Sequence, residues 1–510
     1  SHPRGNGFHG ERKDCWTPKL SGDVNHQIGP VRRRLRNQLK KGKTVLIVAK
    51  KNVRTLVALT DVLNSLCRRI SASELPILII DDEFDEASAQ KDPEAPTPGR
   101  ITGIWGERGH KVAYVGYTAT IQANILQEKG NELWPRDFVE IIRYPALRDS
   151  DLTFFEPDPN NRYTGGEVFF KMLEGHGESN FLIDTEMSEQ EFTGVSDTNP
   201  TLAKALISYF VSGAIRLLIS DKSLTDPENL VKPHTMLIHT ELEVEEHWES
   251  VKDVMELISV KGGERETPAN YRKIRPREKI DTTSLLNWLQ SETPAWKKSF
   301  DSFKTSSNSL NRIFPDRRRY EFPSWEEVEE ALVEVFSETK LRVINSDDVK
   351  EGEVRVDGDL DYTVKIDNEG SKLLPRDIYS IVVGGNKLSR GLTLEGLCIS
   401  YFSRTSVTIA EDTTVQRERW FGYRGKHLEF CRLYTRGLMA ESLSRFVNHE
   451  IDLKEQFCEA KREGADDWSS HSFRFLALAH STPSHALGRG RRKTVQFSPS
   501  KPFIQKVQMG

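Results

Sequence analysis

Short unbroken apolar runs, each ending at a polar or glycine-rich turn, recur along this chain and constrain its fold more than any other feature. Thr44 to Ala49 reads TVLIVA, Pro76 to Ile80 reads PILII, and Val112 to Val115 reads VAYV and stops at Gly116. Between the first two, Val53 to Leu66 places Leu and Val at helical spacing. Unbroken apolar strands alternating with helices predict a parallel sheet covered on both faces. The pattern dissolves into Asp, Pro, Asn and Gly from about Leu147 to Gly194, which reads as an insertion or connecting segment.

It resumes with an apolar helix over Leu202 to Leu218 and a strand at Thr235 to His239. Residues Glu241 to Glu338 are mostly charged and helical, with Trp248, Trp288 and Trp296 placed to pack an accessory helical layer. Three further strands are expected at Asp377 to Val383, Leu397 to Phe402 and Glu429 to Tyr434, then a helix beyond Leu438 and a basic tail without regular structure. The expected division is a basic leader at 1–43, a first α/β domain at 44–147 and an insertion with a connecting helix at 148–230. A second α/β domain at 231–437 carries a helical insertion at about 241–345, and a helical C-terminal segment follows at 438–510.

At 510 residues the chain is long enough for two or three cores. With 37% hydrophobic and 29% charged residues it reads as a soluble globular protein whose five cysteines suit reduced thiols in the cytoplasm, and no apolar run is long enough to suggest a membrane span. The five cysteines, Cys15, Cys67, Cys398, Cys431 and Cys458, are scattered without a CxxC pair, so neither a disulfide framework nor a zinc site is suggested. A net charge of -4 gives no general attraction to nucleic acid, so contact with DNA has to come from local patches such as Arg32 to Lys43 or Arg272 to Lys279. Such runs are more often solvated faces.

Two elements of the first half carry chemistry. Ile79 to Ser88 reads IIDDEFDEAS and sets Asp82 and Glu83 just past the carboxyl end of a strand, where open α/β sheets bind ligands. A carboxylate there can hold Mg²⁺ through its water shell, and a neighbouring glutamate can act on an attacking water. A solvated acidic turn at a helix start fits the same residues. Tyr117-Thr118-Ala119-Thr120 follows the next strand; its hydroxyls can bond the acids, or Thr120 can simply cap a helix.

In the second half, Val383 to Gly396 reads VGGNKLSRGLTLEG and carries Ser389, Arg390 and Gly391 in a turn suited to close approach by a phosphate. Gln416 to Arg424 reads QRERWFGYR, whose arginines can reach a transferring phosphoryl group or serve as surface arginines.

The succession IDDEFDEAS, GYTAT with QANIL, YTGG, MLIHT, GGNKLSRGLTLEG and RWFGYR, from about Val45 to Thr435, resembles the Z-one domain family of bacterial endonucleases and defence-associated ATPases. That family resembles superfamily-2 helicases. The resemblance implies an α/β fold of two RecA-like parallel-sheet domains, with helical insertions and a helical C-terminal segment, and with ATP and Mg²⁺ bound between the domains. By it, Asp82 is the metal-associated acid, Glu83 acts on the water, and Asp85 and Thr118, with Thr120 beside them, couple the site to the rest of the motor. Ser389, Arg390 and Gly391 belong to the second domain's nucleotide-facing loop. Gln416, Arg419 and Arg424 face the phosphates, with Arg419 or Arg424 as the arginine finger. The sequence departs from the family at Ile121, where proline is expected, and at Glu418, where glycine is expected beside the arginine.

The phosphate loop GxxxxGK[ST] is absent from this sequence: Gly42-Lys43-Thr44 is followed by a strand, and Asn37 stands where the first glycine is needed. The chain therefore reads as a fragment whose first domain is incomplete, expected to hydrolyse ATP hardly at all by itself. The function expected is the ATPase part of a DNA-dependent translocase in restriction or anti-phage defence, with DNA and a separate nuclease or methyltransferase component as partners. Two alternatives stand beside it. One is an endonuclease, since Pro315-Asp316 and Glu338-Thr339-Lys340 formally match a PD…ExK pattern. The other is a non-catalytic scaffold that binds nucleic acid or protein.

Overall fold

The computed structural model describes residues 15–16, 33–49, 51–68, 70, 75–85, 101, 112–120, 133, 137–141, 163–166, 169–170, 181–184, 200–220, 232–239, 244–258, 282–313, 315, 319–344, 360–363, 365–366, 372–373, 375–384, 394–402, 409–410, 414, 418, 422–464, 472–476, 481–482 and 504–508. The chain is α/β and divides into two compact units. The first comprises Ser1–Ile141, Thr408–Gln416 and Asp452–Gly510; the second comprises Ile142–Val407 and Arg417–Ile451.

In the first unit, strand β1 (Thr44–Val45) precedes helix α1 (Val53–Cys67). Asn52 caps α1 by accepting from the amide of Thr55, satisfying a donor that the first helical turn leaves open. Strands β2 (Ile77–Asp81) and β3 (Val112–Gly116) pair in parallel from Ile77↔Val112 to Asp81↔Gly116. Their inner face, Ile77, Ile79 and Tyr114, packs with Val45 and Ile47 onto Leu56, Val62, Leu63 and Leu66 of α1.

Among the described residues, one face of this sheet is covered. Leu78 and Ile80 are each 61% exposed and Val48 is 70% exposed, so alternate aliphatic side chains of this sheet face outward without packing. Thr44 to Ala49 is likewise shorter as a strand than expected, since its ladder with Cys15–Trp16 stops at Val45. The C-terminal tail also departs from expectation: Ser472–Leu476 pairs antiparallel with Ile504–Gln508.

The second unit is built on six parallel strands. These are β4 (Leu182–Asp184), β5 (His234–His239), β6 (Thr339–Ile344), β7 (Tyr379–Gly384), β8 (Leu397–Phe402) and β9 (Arg432–Thr435), in the spatial order β4-β9-β8-β5-β7-β6. Helix α2 (Pro200–Leu218) lies on this sheet, followed in chain order by α3 (Val244–Ile258), α4 (Thr282–Ser291), α5 (Thr293–Ile313), α6 (Trp325–Glu338) and α7 (Gly437–Arg462). The boundary between the two units falls within α7, at Ile451/Asp452. Two sequence expectations shift. The last residues of the expected helical insertion form the edge strand β6. Gly425–Phe430 wind into a 3₁₀ turn, so β9 begins at Arg432 and not at Glu429.

Helix α2 is apolar nearly all round and buried along almost its whole length. Against the expectation that no apolar run is long enough, it has the length and mean hydropathy of a membrane span, yet 89% of its 18-residue apolar window is buried inside the protein. Phe210 stacks on Trp296 of α5 and meets Phe336 of α6 edge to face, and Trp288 of α4 joins Trp296 edge to face. The expected accessory layer is thus centred on Trp296; the side chain of Trp248 lies outside the described residues.

At the amino ends of β6 and β7, Asp377 accepts from Arg342 Nε at 2.8 Å, from Arg376 Nη2 at 2.9 Å and from the amide of Asp361 at 2.7 Å. Burial opposes the charge on Asp377, but the Asp361 amide and Arg342 together hold its carboxyl below the usual aspartate range. A depressed carboxylate stabilises the fold above its unfolded pKa and loses that contribution as pH falls through its folded value. Asp377→Asn should therefore flatten the acid limb of the stability curve, below pH about 4, in denaturant titrations. Trp296→Ala should cost about 3–5 kcal/mol, because a large cavity opens between α2, α5 and α6; equilibrium unfolding in urea measures it.

Candidate functional site

Strand β2 delivers its acids at the carboxyl end of the first unit's sheet, where a parallel sheet presents residues to ligands. Asp81, the last strand residue, is buried. Lys51 Nζ donates to its Oδ1 at 2.7 Å, and Tyr114 Oη on the adjacent strand donates to Oδ2 at 2.5 Å. The same ammonium reaches the carbonyls of Asp82 at 2.9 Å and Glu83 at 2.7 Å. Lys51 therefore ties three consecutive residues of the acidic turn to the start of α1.

Glu83 has φ 52°, and among the described residues it is the non-glycine residue with positive φ. Such a conformation costs on the order of 1–3 kcal/mol unless its surroundings hold it. The Lys51 bond to the Glu83 carbonyl and the bond from the Phe84 amide to the Tyr117 carbonyl at 2.8 Å supply that restraint. The Tyr117 amide in turn donates to the Asp81 carbonyl at 2.8 Å, so the segment after β3 is laced to the acidic turn. Close packing enforces Gly116: a Cβ there would lie 2.6 Å from Cγ of Phe84.

Asp85 is fully buried, and Thr120 Oγ1 donates to its Oδ2 at 2.7 Å. Thr118 does something different: its hydroxyl donates to the Thr120 carbonyl at 2.9 Å and accepts from the Thr120 amide at 3.0 Å, closing its own turn. The structure thus brings Asp85 together with Thr120, while Thr118 shapes the loop that presents it. Asp82 is exposed at the tip of the turn and Glu83 is half-buried.

This donor set suits Mg²⁺, which keeps most of its waters and needs one or two carboxylates. Both oxygens of Asp81 are engaged by Lys51 and Tyr114, leaving the exposed carboxylate of Asp82 as the one facing solvent. Among the described residues no group of three or more His, Cys, Asp or Glu is arranged as an all-protein metal cage. Sequence reasoning missed Lys51, Asp81 and Tyr114. Only the position of Asp81 at the strand end was a signal for any of them.

In the second unit the chain leaves β5 toward one edge of the sheet, to β6, and leaves β8 toward the other, to β9. The carboxyl ends of these neighbouring strands therefore form the switch point where open α/β sheets bind ligands. His239 ends β5 and Phe402 ends β8; they are register partners with ring centroids 5.1 Å apart. Thr435, the register partner of Phe402, is buried beside them at the end of β9.

Of the residues singled out by sequence here, Ser389, Arg390, Gly391, Gln416 and Arg419 lie outside the described residues. Arg424 is half-buried, its guanidinium would be 3.5 Å from a Cβ at Gly422, and its charge acts on His427 and Cys431. Glu418 is buried.

For the nuclease pattern, Asp316 is outside the described residues, Glu338 closes α6, and Lys340 lies on β6 with its ammonium bonded to the Arg376 carbonyl. Burial lowers the Lys340 pKa, with the charge of Asp377 opposing that shift. This lysine belongs to the ion network at the amino end of the sheet, opposite the switch point.

The Z1 domain family model matches residues 201–472, more than half of the chain. The protein belongs to the Z1 domain family. The match begins within α2 and takes in all the sheet strands from β5 to β9, together with the switch point between β5 and β8. No curated protein and no solved structure matches the chain.

Removing the Thr120 hydroxyl while keeping its shape leaves the buried Asp85 carboxylate short of a donor. Thr120→Val should therefore cost about 1–3 kcal/mol. In a double-mutant cycle with Asp85→Asn the two losses should fall short of additive, as read by urea unfolding of the first unit.

Proposed function

We propose that this Z1 protein is the ATPase part of a DNA-dependent translocase of the helicase superfamily-2 type, cytoplasmic and working in restriction or anti-phage defence. The observation that carries the reading is the hydrogen bond between Asp85 of the acidic turn and Thr120 of the following loop. A motor has to report the state of its phosphate site to the rest of the domain. A buried carboxylate two residues past Glu83, bonded to a hydroxyl on the neighbouring loop, is the kind of link that does so. A merely solvated acidic turn would not bury Asp85 or hold Glu83 at positive φ.

In this reading the two units are RecA-like, and nucleotide with Mg²⁺ provides the phosphoryl group and charge neutralisation. Asp82 would hold the ion, which would supply the charge neutralisation. The Glu83 carboxylate orients the attacking water and accepts its proton. Lys51 and Tyr114 keep Asp81 from competing and fix the turn that aims Glu83. Ser389, Arg390 and Gly391 would form the nucleotide-facing loop that the resemblance implies, and Gln416, Arg419 and Arg424 would stabilise charge on the phosphates. DNA is the expected substrate track and a separate nuclease or methyltransferase component the expected partner.

The test is ATP hydrolysis by the native protein with and without double-stranded DNA. Turnover should rise with DNA, and Glu83→Gln should lower it by about 100-fold or more, the usual contribution of a general base. Absence of turnover under every condition would sink the motor reading in favour of a scaffold. This sequence holds no phosphate loop, so the 510-residue chain by itself is expected to bind ATP weakly.

A further inference from the structure

The amino ends of β8 and β9, on the opposite side of the sheet from the ligand edge, carry a second chemical cluster that the motor reading does not use. Strand β8 has a bulge against β5: Leu397 pairs with Thr235 and Ile399 with Met236, so Cys398 is the extra residue. Bulges re-aim side chains and recur beside functional sites. The bulge is anchored at Gly396, whose φ is 64° and where a Cβ would lie 1.6 Å from the Pro233 carbonyl oxygen. Its side chain is turned onto Arg216 of α2, with Nη1 3.4 Å from the Cys398 sulfur.

Arg216 is itself buried, and among the described residues no carboxylate pairs with it. Its Nη1 bonds His234 Nδ1 at 2.8 Å, while His234 Nε2 donates to the Tyr209 carbonyl at 2.9 Å. A buried guanidinium needs a compensating anion, and the adjacent sulfur is the group in contact that can supply one.

Cys431 stands beside Cys398. Ile399↔Arg432 is a register pair of the parallel ladder, and Cys398 and Cys431 immediately precede its two members. The strands run roughly 4.8 Å apart where that ladder begins, so the residue just before it on each chain segment enters close to the window of about 4.4–6.8 Å between Cα atoms that a disulfide spans. The Cys431 thiol donates to the His427 carbonyl, with Sγ 3.6 Å from that oxygen. Burial pushes the Cys398 thiol up, yet the neighbouring Cys431 thiol, the Arg216 charge and His234 together hold it well below the ordinary thiol range; the nearness of Cys398, then burial, pushes Cys431 up. One sulfur is thus set up as a thiolate and its neighbour as the proton-bearing partner.

We propose that Cys398 and Cys431 form a peroxide-responsive thiol pair, with Cys398 the sulfur that is oxidised and Cys431 the sulfur that resolves it. The Cys398 thiolate attacks one oxygen of hydrogen peroxide and the O–O bond breaks. The departing hydroxide takes a proton to become water, and Cys398 is left as sulfenic acid. Cys431 then gives up its proton and attacks that sulfur. The S–O bond breaks, a second water leaves and the S–S bond forms, so the two electrons lost by the thiols reduce one peroxide. Both thiols are 2% exposed, so the reaction admits a small peroxide and excludes a bulky protein thiol.

The test is to treat the native protein with hydrogen peroxide, alkylate the remaining thiols and map the unreduced peptides by mass spectrometry. The expected result is a Cys398–Cys431 cross-link, formed at a lower peroxide dose than oxidises the more accessible Cys458 and reversed by dithiothreitol. In Cys431→Ser, Cys398 should accumulate as a sulfenic acid trapped by a 1,3-diketone; in Cys398→Ser, Cys431 should stay a free thiol. Oxidation of Cys458 while Cys398 and Cys431 both remain alkylatable thiols would overturn the proposal, as would a disulfide from either of them to Cys458. The wild-type mapping decides the matter even if a variant fails to fold, and it does not depend on whether the protein hydrolyses ATP.

Discussion

The second unit depends on burying helix α2 against a fully parallel sheet. Parallel strands present few polar side chains, and α2 answers them with Leu206, Phe210, Ala214 and Leu217, all of them buried. Once the helix is interior, every polar atom on it has to find a partner there. Ser208 meets the Tyr434 hydroxyl at 2.7 Å, Ser212 turns back onto the Ser208 carbonyl, and Arg216 reaches His234 and Cys398. The buried charge near Cys398 is thus a consequence of packing an almost wholly apolar helix that carries one arginine in its last turn.

The same constraint separates the two ends of the sheet. Ion pairs and thiols collect at the amino ends, where Asp377, Arg342 and Arg376 form one network and Arg216, His234 and Cys398 form another. The carboxyl ends of β5, β8 and β9 instead carry His239, Phe402 and Thr435 at the switch point. The charged and thiol contacts gather at one end, and the switch point lies at the other. This division explains why Lys340, which looks like a nuclease lysine in the sequence, is bonded to a backbone carbonyl in a structural network.

In the first unit the decisive device is the Lys51 ammonium. It draws the carbonyls of Asp82 and Glu83 and the carboxylate of Asp81 to a single point, which permits the positive φ at Glu83 and leaves Asp82 outward. With Thr120 on Asp85 and the Tyr117 amide on the Asp81 carbonyl, the acidic turn and the loop after β3 form one hydrogen-bonded body.

Periodicity alone determined the class of fold and the rank of its main elements. Unbroken apolar runs become parallel strands, and the helix at Pro200–Leu218, the strands at His234–His239 and Leu397–Phe402, and the acidic turn after Ile80 all lie where local composition places them. Local composition carries this information because strand burial and helix amphipathicity are short-range patterns. What only the tertiary structure decided are the pairings between distant residues. Lys51 with Asp81, Thr120 and not Thr118 with Asp85, and Arg216 with Cys398 across 182 positions all depend on which strands become neighbours. The early end of the Thr44–Val45 strand and the delayed start of the strand at Arg432 were equally out of reach. A strand's length is set by its ladder partner and by the 3₁₀ turn that precedes it, and neither is written in the run of residues itself.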